Sequence, residues 1–221
     1  MWLLKTLLCN EQTNEVFPQA VSMGPDYNWD SDTSVNAIQS NRTLDFHPNL
    51  RAFHLDPETL LTDIVSQGYI YTRGLLVSRH FKEVVDKYLL EPHADYEAEV
   101  VYRDTAYEYT WMHFTEEMES HIDFDHSTFR LVGQDATTNS TIAFKSQEEL
   151  RKKCAELVHL GLGEVVAAHV EFIAGTPRFD LFILQLTARE ILISDLLADR
   201  LSKSGFSGFE LVPTADIFSI A

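Results

Sequence analysis

The chain has 221 residues, 45% of them hydrophobic and 11% aromatic, enough material for a substantial core, which excludes a disordered chain. Its 17 Lys and Arg stand against 34 Asp and Glu, a formal charge of −17. Nucleic acid and anionic membrane are therefore not expected as partners, because binding either uses Lys and Arg to displace counterions; a basic protein, a metal cation or a cationic ligand would be attracted instead.

Cys9 and Cys154 are the only cysteines, so there is no disulfide framework and no Cys-x-x-Cys pair, and a reducing, cytoplasmic compartment fits best. No run of about 18 apolar residues occurs, so no membrane-spanning helix is expected.

The opening Met1 to Cys9 reads as a first strand. Its apolar stretch is too short for a signal peptide, and Leu8 stands where a small residue should precede a cleavage site. From Asn10 to Asn49 the sequence is polar, with Trp29 and Phe46 as isolated anchors, so residues 1–55 read as an irregular segment packed on a core formed by 56–221.

Asp56-Pro57-Glu58 combines an N-cap, a first-turn proline and an early acid, which predicts a helix through Leu60, Leu61, Ile64 and Val65, closed at Gly68. A second helix is expected from Ser78, after Leu75-Leu76-Val77, with Phe81, Val84, Val85, Tyr88 and Leu89 on one face. Period-two alternation then sets Tyr96, Ala98, Val100 and Tyr102 on one strand and Tyr107, Tyr109, Trp111 and His113 on the next, a hairpin turning around Arg103 to Ala106.

Ser146 and Glu149 have capping-box spacing and open a third helix that buries Leu150, Cys154, Leu157 and Val158 and ends at Gly161. Apolar strands follow near Val165 to Ile173 and Phe179 to Leu186, and a last helix, Asp195 to Ser204, is capped by Ser194 and closed by Gly205. The whole predicts an α+β fold with mixed or antiparallel sheets and about four amphipathic helices. Leu75-Leu76-Val77-Ser78 and Ile191-Leu192-Ile193-Ser194 both read as buried strand, Ser cap and helix: either two related strand-Ser-helix lobes or one local solution used twice.

One cluster invites chemistry. On a regular strand His121, Asp123 and Asp125 would share a face, with His126 adjacent and His113 nearby, a set that could hold Zn²⁺ in a metal-dependent hydrolase. The spacing is close to the H-x-H-x-D-H signature of metallo-β-lactamase-like hydrolases but has Asp123 in place of the second histidine. The simpler reading puts Ile122 and Phe124 in the core and the polar residues in water.

Cys154 lies on an apolar helix stripe, no Gly-x-Ser-x-Gly elbow surrounds a serine, and Gly161-Leu162-Gly163 follows a helix and precedes a strand, the reverse of a dinucleotide loop. The sequons at Asn41 and Asn139 carry no meaning without a secretion signal. No catalytic residue, resident metal or cofactor is expected.

Charge is concentrated between Glu91 and Asp125, where eleven acids stand against Arg103 alone, and aromatic residues are interleaved with them. Aromatic anchors ringed by charge suit a protein-binding surface. The candidate partner-binding residues are Asp95, Glu97, Glu99, Tyr102, Asp104, Tyr107, Glu108, Tyr109, Glu116 and Glu117.

The segment Tyr107-Glu108-Tyr109-Thr110-Trp111-Met112-His113-Phe114, followed by Ile122-Asp123-Phe124-Asp125-His126-Ser127-Thr128-Phe129, resembles the Tyr-rich strand and I-D-x-x-x-S-x-F stretch of immunity protein family eleven of bacterial polymorphic toxin systems. Phe179-Asp180-Leu181-Phe182, Ile191-Leu192-Ile193-Ser194 and Gly205-Phe206-Ser207-Gly208-Phe209-Glu210-Leu211-Val212-Pro213 are similar to that family's D-L-F … I-x-V-S-x-x-L … G-L-x-G-x-x-F-x-P ending. The resemblance covers roughly residues 70–213 and implies a cytosolic bacterial protein that binds and neutralises a cognate toxin without catalysis; it transfers no binding site. A structural or scaffolding component of a bacterial assembly is the other non-enzymatic expectation.

Overall fold

The computed structural model describes the chain except residues 7–10, 12, 15, 39–41, 71, 134–138, 186–188, 215, 216 and 221, and no side chain is described at 52, 139, 158, 189 and 220. In chain order the strands and helices are β1 (Trp2–Thr6), β2 (Ala20–Ser22), β3 (Leu50–Leu55), β4 (Ile64–Val65), β5 (Gly74–Ser78), α1 (Arg79–Val85), β6 (His93–Tyr102) and β7 (Thr105–Phe114). After them come β8 (Ile122–Gly133), β9 (Asn139–Ile142), α2 (Gln147–Leu160), β10 (Gly163–Phe172), β11 (Leu181–Gln185), β12 (Arg189–Ile193), α3 (Asp195–Ser202), β13 (Phe209–Pro213) and β14 (Phe218–Ile220).

The molecule is mostly sheet, 43% strand against 18% helix, with three α-helices among the described residues, which overturns the α+β expectation with about four helices. The missing helix is the one expected from Asp56 to Gly68. Asp56 does cap, but it caps a turn: its Oδ1 accepts from the Glu58 amide at 2.8 Å and its carbonyl from the Thr59 amide at 3.1 Å. The chain then extends, because Ile64 and Val65 pair with Val77 and Leu76, and β-branched residues fit that pleated, buried position better than a helix.

The other expected elements form close to where the sequence places them. The second helix stops at Val85, so Leu89 lies beyond it and is exposed. The first strand is described over Trp2–Thr6; Leu7, Leu8 and Cys9 lie outside the described residues, as do Asn41 of the first sequon, Leu186 at the end of an expected strand, and the side chains of Val158 and Asn139. Residues 1–55 supply β1, β2 and β3, which take places in two of the sheets.

Among the described residues three sheets form, ordered β11-β12-β1-β13, β14-β10-β8-β9 and β2-β3-β6-β7-β5-β4. The six-stranded sheet curls strongly, in the manner of a half-barrel, and its two edges approach at a bridge between Ala20 and Gln67. Gln19 seals that seam: its amide donates to Ser66 Oγ at 3.0 Å and its Oε1 accepts from the Ser66 amide at 3.2 Å.

Two stretches of four strands, β4-β5-β7-β6 and β11-β12-β1-β13, are built alike, with every pair antiparallel. Ser78 and Ser194 each cap the following helix, accepting from the Phe81 and Leu197 amides at 3.2 Å. Each also donates to an aspartate that opens the preceding strand, Ser78 to Asp63 at 2.7 Å and Ser194 to Asp180 at 2.6 Å. The second oxygen of each aspartate reaches into the other unit: Asp63 accepts from the Ser207 amide and Asp180 from the Leu89 amide, both at 3.0 Å.

The central core lies where these units meet, and joins Leu75, Val77, Phe81 and Met112 of the first to Ile183, Ile191, Leu197 and Leu4 of the second. Outside the first unit Trp111, Tyr96 and Tyr109 pack on Phe53, Met23 and Val35; outside the second, Leu192 and Phe182 pack on Phe129, Phe172 and Leu150.

Candidate functional site

The acidic stretch folds into the β6–β7 hairpin and the short 3-10 turn Met118–His121 after it. Arg103 and Asp104, at φ 49° and 63°, make the tight turn, the left-handed pair that suits the right-handed twist of a two-residue hairpin loop. Alternation along the hairpin then sorts its side chains. Tyr96, Tyr109 and Trp111 turn inward and are buried, while Asp95, Glu97 and Glu108 turn outward.

Acids and aromatics interleave in the sequence because they occupy opposite faces of one half-buried sheet. Tyr109 is only 6% exposed, its hydroxyl donates to the Thr62 carbonyl, and burial pushes its ionisation up, so it offers no contact to a partner. Tyr102 is half-buried, with its hydroxyl on the Thr59 carbonyl at 2.8 Å and the Arg103 guanidinium 4.8 Å from its ring centre. Tyr107 is 37% exposed, and of the five aromatic residues between Tyr96 and Trp111 it alone is a surface residue.

The outward face carries Glu97, Glu99 and Glu108 together. Glu99 stands directly opposite Glu108 in the register, beside the Glu97 and Thr110 pair. Cations border the patch: Arg51 reaches Glu97 at 2.6 Å, Arg79 reaches Glu108 at 3.5 Å, and Lys82 reaches Asp95 at 2.7 Å. Among the described residues Glu99, at the centre, has no basic partner within ion-pair distance. Asp104 and Glu117 are exposed, the first at the hairpin turn and the second beyond the hairpin, and Glu116 sits 3.6 Å from His121.

Two of the eleven acids are not surface groups at all. Glu91 and Glu119 are buried around Arg73, at 2.8 and 3.5 Å from its guanidinium. The guanidinium also donates to the carbonyls of Glu116 and Ile183, while the Glu91 and Glu119 carboxylates accept from the Ile183 amide, at 2.7 Å, and the Gln185 amide. These side chains thus occupy the free edge of β11, satisfying backbone groups that an edge strand would otherwise leave open. Nothing local in the sequence marks this triad, whose members are widely separated along the chain.

The histidine and aspartate cluster does not converge. β8 bulges against β10, so the expected alternation is lost and Asp125 and His126 are both exposed. Asp123 is engaged locally: one oxygen accepts from the Asp125 and His126 amides at 3.0 and 3.3 Å, the other meets His126 Nδ1 at 2.8 Å. That contact lowers the Asp123 carboxyl and raises the His126 imidazole. His121 faces Glu116, and His113 is stacked flat on Trp111 with ring centres 4.6 Å apart.

Among the described residues one set brings three potential metal ligands within 4.8 Å, namely Asp86, His93 and Asp95. The Lys82 ammonium already contacts both of its carboxylates. Burial pushes the Cys154 thiol up, away from the thiolate that nucleophilic chemistry requires. A cavity of about 530 Å³ between the two like-built units has aliphatic residues for half of its lining, including Leu4, Ile64, Leu75 and Ile191. Comparison with known proteins finds no matching family model, curated relative or solved structure.

Proposed function

We propose that this is a non-enzymatic, cytoplasmic binding protein whose open hairpin face receives a basic protein partner, and that the partner is a cognate bacterial toxin. One observation carries the surface assignment: half-buried Glu99 and exposed Glu108 face each other in register on the outward face of the hairpin. Like charges directly opposite destabilise a strand pair, and a guanidinium or ammonium seated between them would reverse the sign of that interaction. The resemblance of residues 70–213 to immunity protein family eleven supports the partner class. No helix among the described residues is long and apolar enough to cross a membrane.

The test is affinity capture from the native cell with the wild-type chain and with Glu97→Gln/Glu99→Gln/Glu108→Gln. The expected result is a basic protein held by the wild type, lost by the triple variant, and toxic when expressed alone. Equal retention by both chains would remove the hairpin face from the interface, and a captured protein that is harmless alone would remove the immunity reading.

A further inference from the structure

We propose that Arg73, Glu91 and Glu119 form a proton-dependent latch between the two like-built units, with one proton held on the carboxylate pair at neutral pH. The latch spans them physically. Arg73 precedes β5 of the first unit, and Glu91 and Glu119 grip Ile183 and Gln185 on β11 of the second.

Charge balance is the first argument. One guanidinium faces two carboxylates, and all three side chains are at most 1% exposed. Ionised throughout, the triad would leave one unbalanced negative charge in the interior, an arrangement that proteins relieve by binding a proton. Burial pushes the Glu91 carboxyl up to about 8, against the opposing pull of Arg73 and the Ile183 amide, with Glu119 and Glu116 adding to the rise.

Among the described residues no neighbouring group supplies a second cation. His93 contacts the Glu91 carbonyl through Nδ1 at 2.8 Å, His121 is turned to Glu116, and His113 is buried against Trp111. On that charge balance the triad takes up a proton.

The sign follows from the raised value. Between about pH 4.5 and 8 the folded chain holds a proton that the unfolded chain has released, so folded stability falls as pH rises across that window. The contribution is complete below the ordinary glutamate range and lost above the folded value.

Two measurements test it. Infrared spectra of the folded wild type should show the carbonyl band of a neutral carboxylic acid at pH 7 that disappears by about pH 9.5. In denaturant titrations from pH 5 to 9, the wild type should lose folded over unfolded population by up to about tenfold per pH unit relative to Glu91→Gln, whose amide cannot titrate. No neutral carboxylic acid band at pH 7, or parallel pH profiles for the two chains, overturns the latch. If Glu91→Gln does not fold, the wild-type spectrum and the exchange of the Ile183 and Gln185 amides decide: faster intrinsic-rate-corrected exchange above pH 8 supports it, and unchanged protection removes it.

Discussion

Beside the apolar core where the two like-built units meet, a single arginine ties them through buried polar contacts. Arg73 neutralises one buried carboxylate and binds two carbonyls, so Arg73→Met would strand Glu91 and Glu119 together in the interior. Breaking a buried pair by removing one partner costs about 3–5 kcal/mol, and urea unfolding at pH 7 should show a loss of that order; a loss below about 1 kcal/mol would mean the triad contributes little. The next residue is equally constrained. A Cβ on Gly74 would fall 2.2 Å from Trp111 Nε1 and 2.9 Å from the Met112 carbonyl, so Gly74→Ala forces the buried indole to move. The expected cost is about 1–3 kcal/mol, read as a lower thermal midpoint.

At the scale of elements, the repeated Ser cap makes a paired prediction. Ser78→Ala and Ser194→Ala each remove a cap and a hydrogen bond to an aspartate, and each should cost about 1 kcal/mol or more in chemical denaturation. Substantially unequal losses would show that the two units are alike in geometry only. These caps were legible in the sequence because capping is local chemistry, as was the hairpin, whose turn and alternation lie within a short span. The helix expected after Asp56 failed for the complementary reason. Its start signal was genuine but served a turn, and the pairing of Ile64 and Val65 with Val77 and Leu76 that decided the outcome is not local.

The candidate site divides the same way: Asp95, Glu97 and Glu108 lie on the exposed face of the hairpin, whereas Tyr109, grouped with them from the sequence, is buried, Tyr102 is half-buried and Tyr107 alone is a surface residue. Glu91 and Glu119 were hidden among the other acids because only the fold brings them to Arg73.

For the molecule as a whole, the formal charge of −17 sets how it meets a partner. Association with a basic protein should slow steeply as salt is added, since screening shortens the reach of the field, and Glu97→Gln/Glu99→Gln/Glu108→Gln should flatten that dependence in stopped-flow measurements. A rate indifferent to ionic strength would argue against electrostatic steering.

The two like-built units also differ in how they can be made. In the first, β4, β5, β6 and β7 lie within one continuous stretch, and the sheet can close as soon as that stretch exists. In the second, the strand between β12 and β13 is β1, from the far end of the sequence. During synthesis β1 emerges long before residues 189–213, the partners it pairs with, are translated. Folding of this sheet is therefore late and dominated by distant contacts, which is the slow and aggregation-exposed route for a nascent chain.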